Sequence, residues 1–406
     1  MRYVLTQDKD WFAVIQDGWK AHGVGATLVT TLPETGRAPA DARSILIDQS
    51  FWEEERAGLT QLVESAKGGE IPVFFLVSET TPGLRERAFR QGADEVLIRS
   101  DVIAATAEGE ALCRRFEIQF WGARGTLPVS GLQTLKYGGS TSSLGLRFGL
   151  DRQFVFDAGT GLRNFSNHLG RHAGGEFKGR ILITHPHWDH LNCLPFFMPF
   201  YNPESQIHLM GPPQGDLSFK AILDGQMNGV YFPIGTDCFR ADVTYEDLMP
   251  GRYLLDGIAV SALQLDHPGT CLGYRVDFKG RSVAYITDNE LGARDATDPY
   301  MEVLTAFLHE VDVLIHDCSY FDDEYPRRES WGHSSIGQVV QLAELSKVKQ
   351  LFLFHHDPEH EDRDIDRKQV EAEAVMARLG SQFTCHTAKE GDRFDLQSLL
   401  LLDPVV

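Results

Sequence analysis

The sequence predicts an α/β protein in two parts: an N-terminal doubly wound parallel sheet, followed by a larger strand-rich domain. The chain has 406 residues, which is more than one core usually holds. Up to about residue 114, short apolar runs alternate with helix-like stretches, as in a parallel sheet covered on both faces. From Phe116 onward, glycine-rich turns separate the strand-like runs instead. We therefore predict domains at residues 1–114 and 115–406.

The N-terminal part contains five apolar runs that predict strands, with a helical pattern after the first. Several of these runs end in a polar residue, which is where parallel sheets place their sites. The strands are predicted at Tyr3–Thr6, Ala26–Val29, Ser44–Ile47, Val73–Val77 and Glu95–Ile98.

These features resemble the receiver domain of two-component response regulators, best between residues 72 and 99. The resemblance implies that Asp48 is a candidate phosphoacceptor, Ser78 a switch hydroxyl, and Asp8 the remnant of an acidic Mg²⁺ pair. Gln7 replaces the second acidic residue of that pair, and two carboxylates are fewer than Mg²⁺ sites usually use.

Arg99 and Ser100 also stand where receivers carry Lys-Pro. We therefore interpret this part as a degenerate receiver-like domain with a linker helix over residues 100–115. We predict that this domain docks a protein partner or mediates dimerisation. The alternative is a working phosphoswitch.

Composition and charge narrow the classes of function. The formal net charge is −20, and nucleic-acid binding draws its affinity largely from Lys and Arg. This argues against nucleic acid and favours a small substrate. The six cysteines form no Cys-x-x-Cys pair, which argues against a disulfide framework or a zinc knuckle. No run is long and apolar enough for a membrane span, so we expect no membrane partner and a cytoplasmic protein.

The strongest motif is His185-Pro186-His187-Trp188-Asp189-His190, which follows the apolar run Ile181–Thr184. Imidazole and carboxylate groups are ligands of Zn²⁺, Mn²⁺ and Fe²⁺. Four such groups in six residues of a tight turn cannot all reach one tetrahedral ion. The motif therefore predicts two adjacent metal ions.

From about Phe116 to the C-terminus, the chain resembles the metallo-β-lactamase-fold hydrolases. Within them it is most similar to the branch of ribonuclease Z-like enzymes and cyclic-phosphate or cyclic-nucleotide phosphodiesterases. The resemblance implies an αββα sandwich. Its motifs, besides the histidine run, are Phe156–Gly161, Asp266–Pro268, Gly273–Val276, Tyr285–Asp288, His316–Asp317, Gly332–Ser335 and Leu351–His355.

The resemblance assigns seven metal ligands. His185, His187 and His267 would bind the first ion. Asp189, His190 and His355 would bind the second, and Asp288 would bridge the two. His356 is the competing residue at the last position, because neighbours in a strand point to opposite faces. We expect zinc, with manganese or iron as alternatives.

The catalytic residues implied by the resemblance are Asp189, His333 and Asp317. A hydroxide bridging the ions would attack a phosphorus atom in line. His333 would assist the leaving group, because imidazole titrates near neutral pH. Asp317 would orient that ring. The predicted function is a metal-dependent phosphodiesterase acting on a small phosphodiester of the cyclic nucleotide or cyclic phosphate type.

Three other functions stay open at this point. Enzymes of tRNA 3′ processing often carry an RNA-gripping arm between the residues equivalent to His267 and Asp288, which here are 288 − 267 = 21 positions apart. Hydrolysis of a carbon ester, such as a lactone or thioester, would use the same metals but gives His333 no purpose. A non-catalytic di-iron sensor of oxygen or redox state is the alternative outside enzymes.

Overall fold

The structure is a computed structural model that describes residues 2–21, 25–33, 37–49, 52, 56–68, 71–77, 84–98, 115–149 and 151–403. Ser78, the pair Arg99 and Ser100, and the predicted linker up to residue 114 lie outside the described residues. The chain divides into two compact units. The first comprises Met1–Arg115, Phe148–Asp151 and Leu254–Ile258, and the second comprises the remaining residues.

The first unit is built on a five-stranded sheet in which every neighbouring pair is parallel. Its strand order is β2-β1-β3-β4-β5, which is the order of flavodoxin-like doubly wound sheets. The strands are β1 (Arg2–Leu5), β2 (Ala26–Val29), β3 (Ser44–Asp48), β4 (Val73–Val77) and β5 (Glu95–Ile98). The described helices are α1 (Lys9–Ala21), α2 (Arg56–Gly68) and α3 (Leu84–Arg90).

Apolar side chains cover both faces of this sheet. Leu46 of β3 belongs to a buried cluster with Phe12 and Trp19 of α1. Its neighbour Ile47 belongs to a second cluster, with Leu62 of α2. Successive residues of one strand thus pack against helices on opposite sides, and the predicted parallel-sheet N-terminal part is confirmed.

The candidate phosphoacceptor Asp48 is the last residue of β3 and is buried. Asp8 follows the neighbouring strand β1, where its Oδ1 accepts a hydrogen bond of 2.9 Å from the Trp11 amide. Phosphorylation of Asp48 stays the alternative to a degenerate receiver. Phosphate transfer from acetyl phosphate, compared between wild type and Asp48→Asn, would test it.

The second unit contains an eight-stranded sheet of order β11-β10-β9-β8-β7-β6-β19-β20 and a seven-stranded sheet of order β12-β13-β14-β15-β16-β17-β18. The first sheet uses β6 (Phe116–Gly122), β7 (Ser143–Phe148), β8 (Arg152–Phe156), β9 (Lys178–Leu182), β10 (Gln206–Gly211), β11 (Asp242–Asp247), β19 (Arg393–Asp395) and β20 (Leu400–Leu402). The second uses β12 (Gly251–Leu255), β13 (Ile258–Gln264), β14 (Leu272–Phe278), β15 (Arg281–Ile286), β16 (Val313–Asp317), β17 (Gln350–Phe354) and β18 (Thr384–Thr387).

Helices cover the outer face of each sheet. In the first sheet Ile181 packs with Phe165 of α4, and in the second Leu314 packs with Val339 of α8. The helices are α4 (Gly161–His172), α5 (Trp188–Leu191), α6 (Phe219–Gln226), α7 (Pro299–Leu308), α8 (Ile336–Leu345) and α9 (Asp362–Leu379). Short 3₁₀ turns occur at Leu132–Thr134, Leu194–Phe196, Met198–Tyr201, Thr236–Cys238 and Tyr325–Arg327.

A layer of aromatic rings joins the inner faces of the two sheets. Phe156 of β8 packs against Tyr274 and Tyr285, with ring centroids 5.3 and 5.8 Å apart. Phe120 of β6 packs against Phe352 of β17 at 5.1 Å. Two sheets with helices outside form an αββα sandwich, so the predicted fold class is confirmed.

Among the described residues, no helix is both long enough and apolar enough to cross a membrane.

Candidate metal centre

The predicted ligands lie where strands of both sheets end. The histidine run follows β9 of the first sheet, and its last residues form the single turn α5. In the second sheet Asp288 follows β15, and His355 follows β17. Because β15, β16 and β17 are parallel, their carboxyl ends meet at one edge of the sheet, as in other α/β proteins.

The first group brings together His185, His187, His267 and Asp288, whose ligand atoms all lie within 4.8 Å of one another. Nε2 of His267 lies 3.1 Å from Nδ1 of His187. The Oδ2 atom of Asp288 lies 3.6 Å from Nε2 of His185 and 3.7 Å from Nε2 of His267. This is the set predicted for the first ion.

The second group brings together Asp189, His190, Asp288 and His355. Nε2 of His190 lies 3.1 Å from both Asp189 Oδ2 and Asp288 Oδ1. Nε2 of His355 lies 3.2 and 3.0 Å from the same two oxygens. Asp288 therefore turns one carboxylate oxygen towards each group, which is the arrangement a bridging ligand needs.

A buried nitrogen atom without a hydrogen bond supports metal binding at this site. Nε2 of His185 is buried and has no hydrogen-bond partner among the described residues, although buried polar groups almost always have one. Burial lowers the pKa of His185 well below its usual value, so this ring is the neutral imidazole that metals bind.

The charges of the buried carboxylates in the second group also favour bound cations. Burial would raise the pKa of Asp288, but the facing His190 and His355 outweigh it and hold that pKa well below its usual value. Burial would lower the pKa of His190, but Asp189 and Asp288 raise it well above its usual value. Buried carboxylates that impose a positive charge on their neighbours suit divalent ions.

Asp157 is a supporting residue that the sequence prediction left out of the site. Its Oδ2 lies 2.8 Å from Nδ1 of His190 and accepts the Tyr285 hydroxyl at 2.9 Å. Its Oδ1 accepts the Thr184 amide at 2.8 Å. A carboxylate behind a ligand histidine fixes which ring nitrogen faces the metal. The signal was present, because Asp157 stands in the motif Phe156–Gly161.

Glu290 is a second supporting residue, and no sequence motif pointed to it. Its carboxylate accepts the amides of Ser330 and Gly332 and the hydroxyl of Tyr325, each at 2.7 Å. The Gly332 carbonyl in turn lies 3.0 Å from Nδ1 of His267. Glu290 thus fixes the loop that orients one ligand histidine.

Three site residues have left-handed backbone conformations. The φ angles of Asp157, Asp288 and His355 are 60°, 50° and 57°. Such conformations cost about 1–3 kcal/mol in residues other than glycine and cluster at functional sites. Each of these residues follows directly or closely on a strand, so the chain turns sharply where the side chain must enter the site.

The predicted pair His333 and Asp317 lies against the second group. Nδ1 of His333 is 2.7 Å from Oδ2 of Asp317, and the His333 ring stacks on His355 with centroids 4.9 Å apart. Burial would lower the pKa of His333, but the Asp317 carboxylate outweighs it and raises the pKa to about 9. Ser319 fixes Asp317 by donating its hydroxyl to Oδ1 at 2.8 Å.

His355 and His356 have different surroundings: Nε2 of His355 faces Asp189 and Asp288 in the second group, whereas His356 does not belong to it. His356 is fully buried, and its Nε2 lies 2.9 Å from the Ala388 carbonyl.

We expect His355→Gln to remove about one of two bound ions per chain. His356→Gln, the matched control, should retain both, because its amide can still reach that carbonyl. Elemental analysis of the purified variants measures this, and equal metal loss in both would contradict it.

This fold and this cluster of histidines and aspartates define a class of metal-dependent hydrolases. The family profile described as "Beta-lactamase superfamily domain" matches residues 152–356, and the chain belongs to this superfamily. The predicted family is thereby confirmed. The profile covers half of the chain, including all the proposed metal ligands.

Individual relatives agree with this membership. Ribonuclease Z of Streptococcus suis is 26% identical over 305 residues, which cover 63% of this chain and 94% of the relative. Ribonuclease BN of Salmonella paratyphi C is 25% identical over 271 residues, covering 55% of this chain and 84% of the relative. The metallo-β-lactamase fold protein YhfI of Bacillus subtilis superposes with a TM-score of 0.53 at 16% identity, covering 69% of this chain and 99% of that one.

Proposed function

We propose that this chain is a binuclear metal-dependent phosphodiesterase that hydrolyses a small phosphodiester. His185, His187 and His267 would hold one divalent ion, Asp189, His190 and His355 the other, and Asp288 both. Zinc is the metal we expect, since its protein ligands are His and Asp among others. When bound, the ions would supply Lewis-acid charge at the phosphoryl group and an activated water.

The observation that carries the proposal is the pair of His333 and Asp317 beside the second group. Because Nδ1 of His333 faces Asp317 at 2.7 Å, Nε2 is the nitrogen left to carry a transferable proton. The Asp317 carboxylate raises the pKa of this ring to about 9, which favours the protonated form that a general acid needs. A thiolate leaving from a thioester has little use for such an acid, whereas an alkoxide leaving from phosphorus needs one.

Three residues of the chain have roles in the proposed proton transfer to the leaving group. In the proposed step His333 gives its Nε2 proton to the leaving oxygen as the bond from phosphorus to that oxygen breaks. Asp317 holds the ring in the required tautomer and stabilises its positive charge, as orienting carboxylates do. Ser319 holds Asp317, which is fully buried, so the acid is already in place before substrate binds.

The relatives bear on the substrate. Ribonuclease Z and ribonuclease BN are named for RNA, so RNA stays among the substrates to test despite the net charge of −20. His267 and Asp288 are 21 positions apart, and the β14–β15 hairpin fills the stretch between them, which leaves no arm at that place. We therefore retain a small phosphodiester as the first candidate.

A turnover panel tests the proposal. The zinc-, manganese- and iron-loaded protein is assayed with an aryl phosphodiester, a cyclic nucleotide, a short RNA, a lactone and a thioester. We expect hydrolysis of the phosphodiesters and little of the carbon esters. Preferred hydrolysis of the lactone or thioester would replace the proposal with the carbon-ester function. No turnover, together with a coloured iron centre, would favour the sensor.

A further inference from the structure

Trp331 is a large, solvent-exposed aromatic residue close in the chain to the proposed acid His333. It stands two positions before His333, and its side chain is 58% exposed. Isolated exposed apolar residues need no explanation. The surroundings of Trp331, however, fix both its backbone and its ring.

The backbone of Trp331 is fixed on both sides by one buried carboxylate. Glu290 accepts the amides of Ser330 and Gly332, the two residues that flank Trp331, each at 2.7 Å. These flanking residues have φ angles of 68° and 85°. A left-handed Ser330 is a strained conformation, and such strain is retained where the surrounding contacts impose it.

The ring of Trp331 is fixed by a layered arrangement of side chains that leads to His333. The guanidinium of Arg328 lies 5.1 Å from the ring centroid of Trp331 and 5.1 Å from that of Tyr320. Arg328 is itself held by Asp357 at 3.0 Å. The Tyr320 ring lies edge-on to His333, with centroids 5.9 Å apart. The exposed indole therefore belongs to the same packed unit as the proposed acid.

We propose that Trp331 is a stacking platform for a planar ring carried by the leaving-group alcohol, so that the enzyme selects phosphodiesters of ring-bearing alcohols such as nucleosides. This inference rests on the proposed phosphodiesterase function. The leaving oxygen must lie at His333 to receive a proton, and we place the rest of that alcohol along the adjoining loop that carries Trp331. A ring fixed in advance loses little conformational entropy on binding.

The proposed reaction balances without a further reactant. The oxygen of water bonds to phosphorus, and the bond from phosphorus to the alcohol oxygen breaks. The alcohol leaves with the proton of His333. One proton of water stays on the new phosphate monoester, and the other restores His333.

Two methyl phosphodiesters test the platform: adenosine 5′-(methyl phosphate), and tetrahydrofurfuryl methyl phosphate, which lacks the purine and the ribose hydroxyls. Wild type should release adenosine and methyl phosphate. It should prefer the adenosine compound about tenfold to a hundredfold in kcat/KM, the value of one stacked base. Trp331→Leu keeps apolar bulk without a planar ring and should bring the preference near parity. Trp331→Phe should keep most of it.

Glu329→Gln is the matched control, because Glu329 is an exposed neighbour on the same loop, and its preference should equal that of wild type. A preference retained in Trp331→Leu, or release of adenosine monophosphate and methanol, would overturn the proposal. If wild type cleaves neither diester, the turnover panel decides on the phosphodiesterase function, and calorimetry with adenosine decides on the platform alone. Binding lost in Trp331→Leu but kept in Trp331→Phe supports it, and equal or absent binding in all three proteins overturns it.

Discussion

Asp288→Ala should lose most of both metal ions and, with them, turnover to background. The two oxygens of Asp288 are divided between the groups: Oδ1 lies 3.0 Å from His355, and Oδ2 lies 3.6 Å from His185. One carboxylate thus serves both proposed ions. Its loss also removes a negative charge from a buried site in which two dications would then face each other without it. Elemental analysis and turnover of the same preparation measure the two effects.

Asp312→Asn is the control for a general loss of stability. Asp312 is a buried carboxylate that directly precedes β16 of the second sheet. It pairs with Lys349 at 2.7 Å and with Arg281 at 3.0 Å. This variant should retain both metals, even if it melts earlier. If the Asp288→Ala variant keeps one full equivalent of metal, Asp288 does not bridge the two ions and is a ligand of only one of them.

His333→Ala should reduce kcat about 10²- to 10⁴-fold on a phosphodiester with a poor alkoxide leaving group, the usual range for general acid catalysis. The loss should be much smaller with a nitrophenolate leaving group, which departs without a proton. KM and metal content should change little, because the group acts in the transition state. Asp317→Asn should show the same pattern more weakly, since it disturbs only the orientation and charge of the ring.

Other outcomes for His333 are equally informative. Equal losses on both substrates would leave His333 a role in stabilising charge on phosphorus and remove it as the acid. No loss on either substrate would make it a structural residue and reopen the carbon-ester function. Metal content measured alongside separates these results from damage to the adjacent His355, on which the His333 ring stacks.

The sequence predicted the elements of the catalytic domain well where periodicity and position agreed. In this domain the sequence pattern predicts helices most clearly at Ile336–Leu345 and Arg367–Leu379. Helix α8 has the first of these ranges. Helix α9 begins earlier than predicted, at Asp362, because its first turn is acidic and capped by Glu361 and shows little apolar periodicity. The resemblance assigned the proposed ligands, and the chain pattern agrees with it, because each lies at or just after an apolar run and strand ends are where such folds gather their sites.

The supporting residues could not be found in the same way. The contact between Glu290 and the Gly332 amide joins positions 42 apart in the chain, and neither residue type predicts it. The left-handed φ of Asp288 and His355 is also not evident from the sequence, because Asp and His adopt that conformation more often than most residues but still only occasionally. These features depend on tertiary contacts, which periodicity and local composition do not report.

The division of the second group between two sheets has a consequence for how the protein matures. His190 follows β9 of the first sheet, and His355 follows β17 of the second, with Nε2 of His355 3.2 Å from an aspartate 166 positions earlier in the chain. A growing polypeptide cannot assemble this group until β17 has been synthesised and paired. Uptake of the proposed metal ion would therefore be a late event, and the bound ion would act as a cross-link between the sheets that stabilises the folded protein.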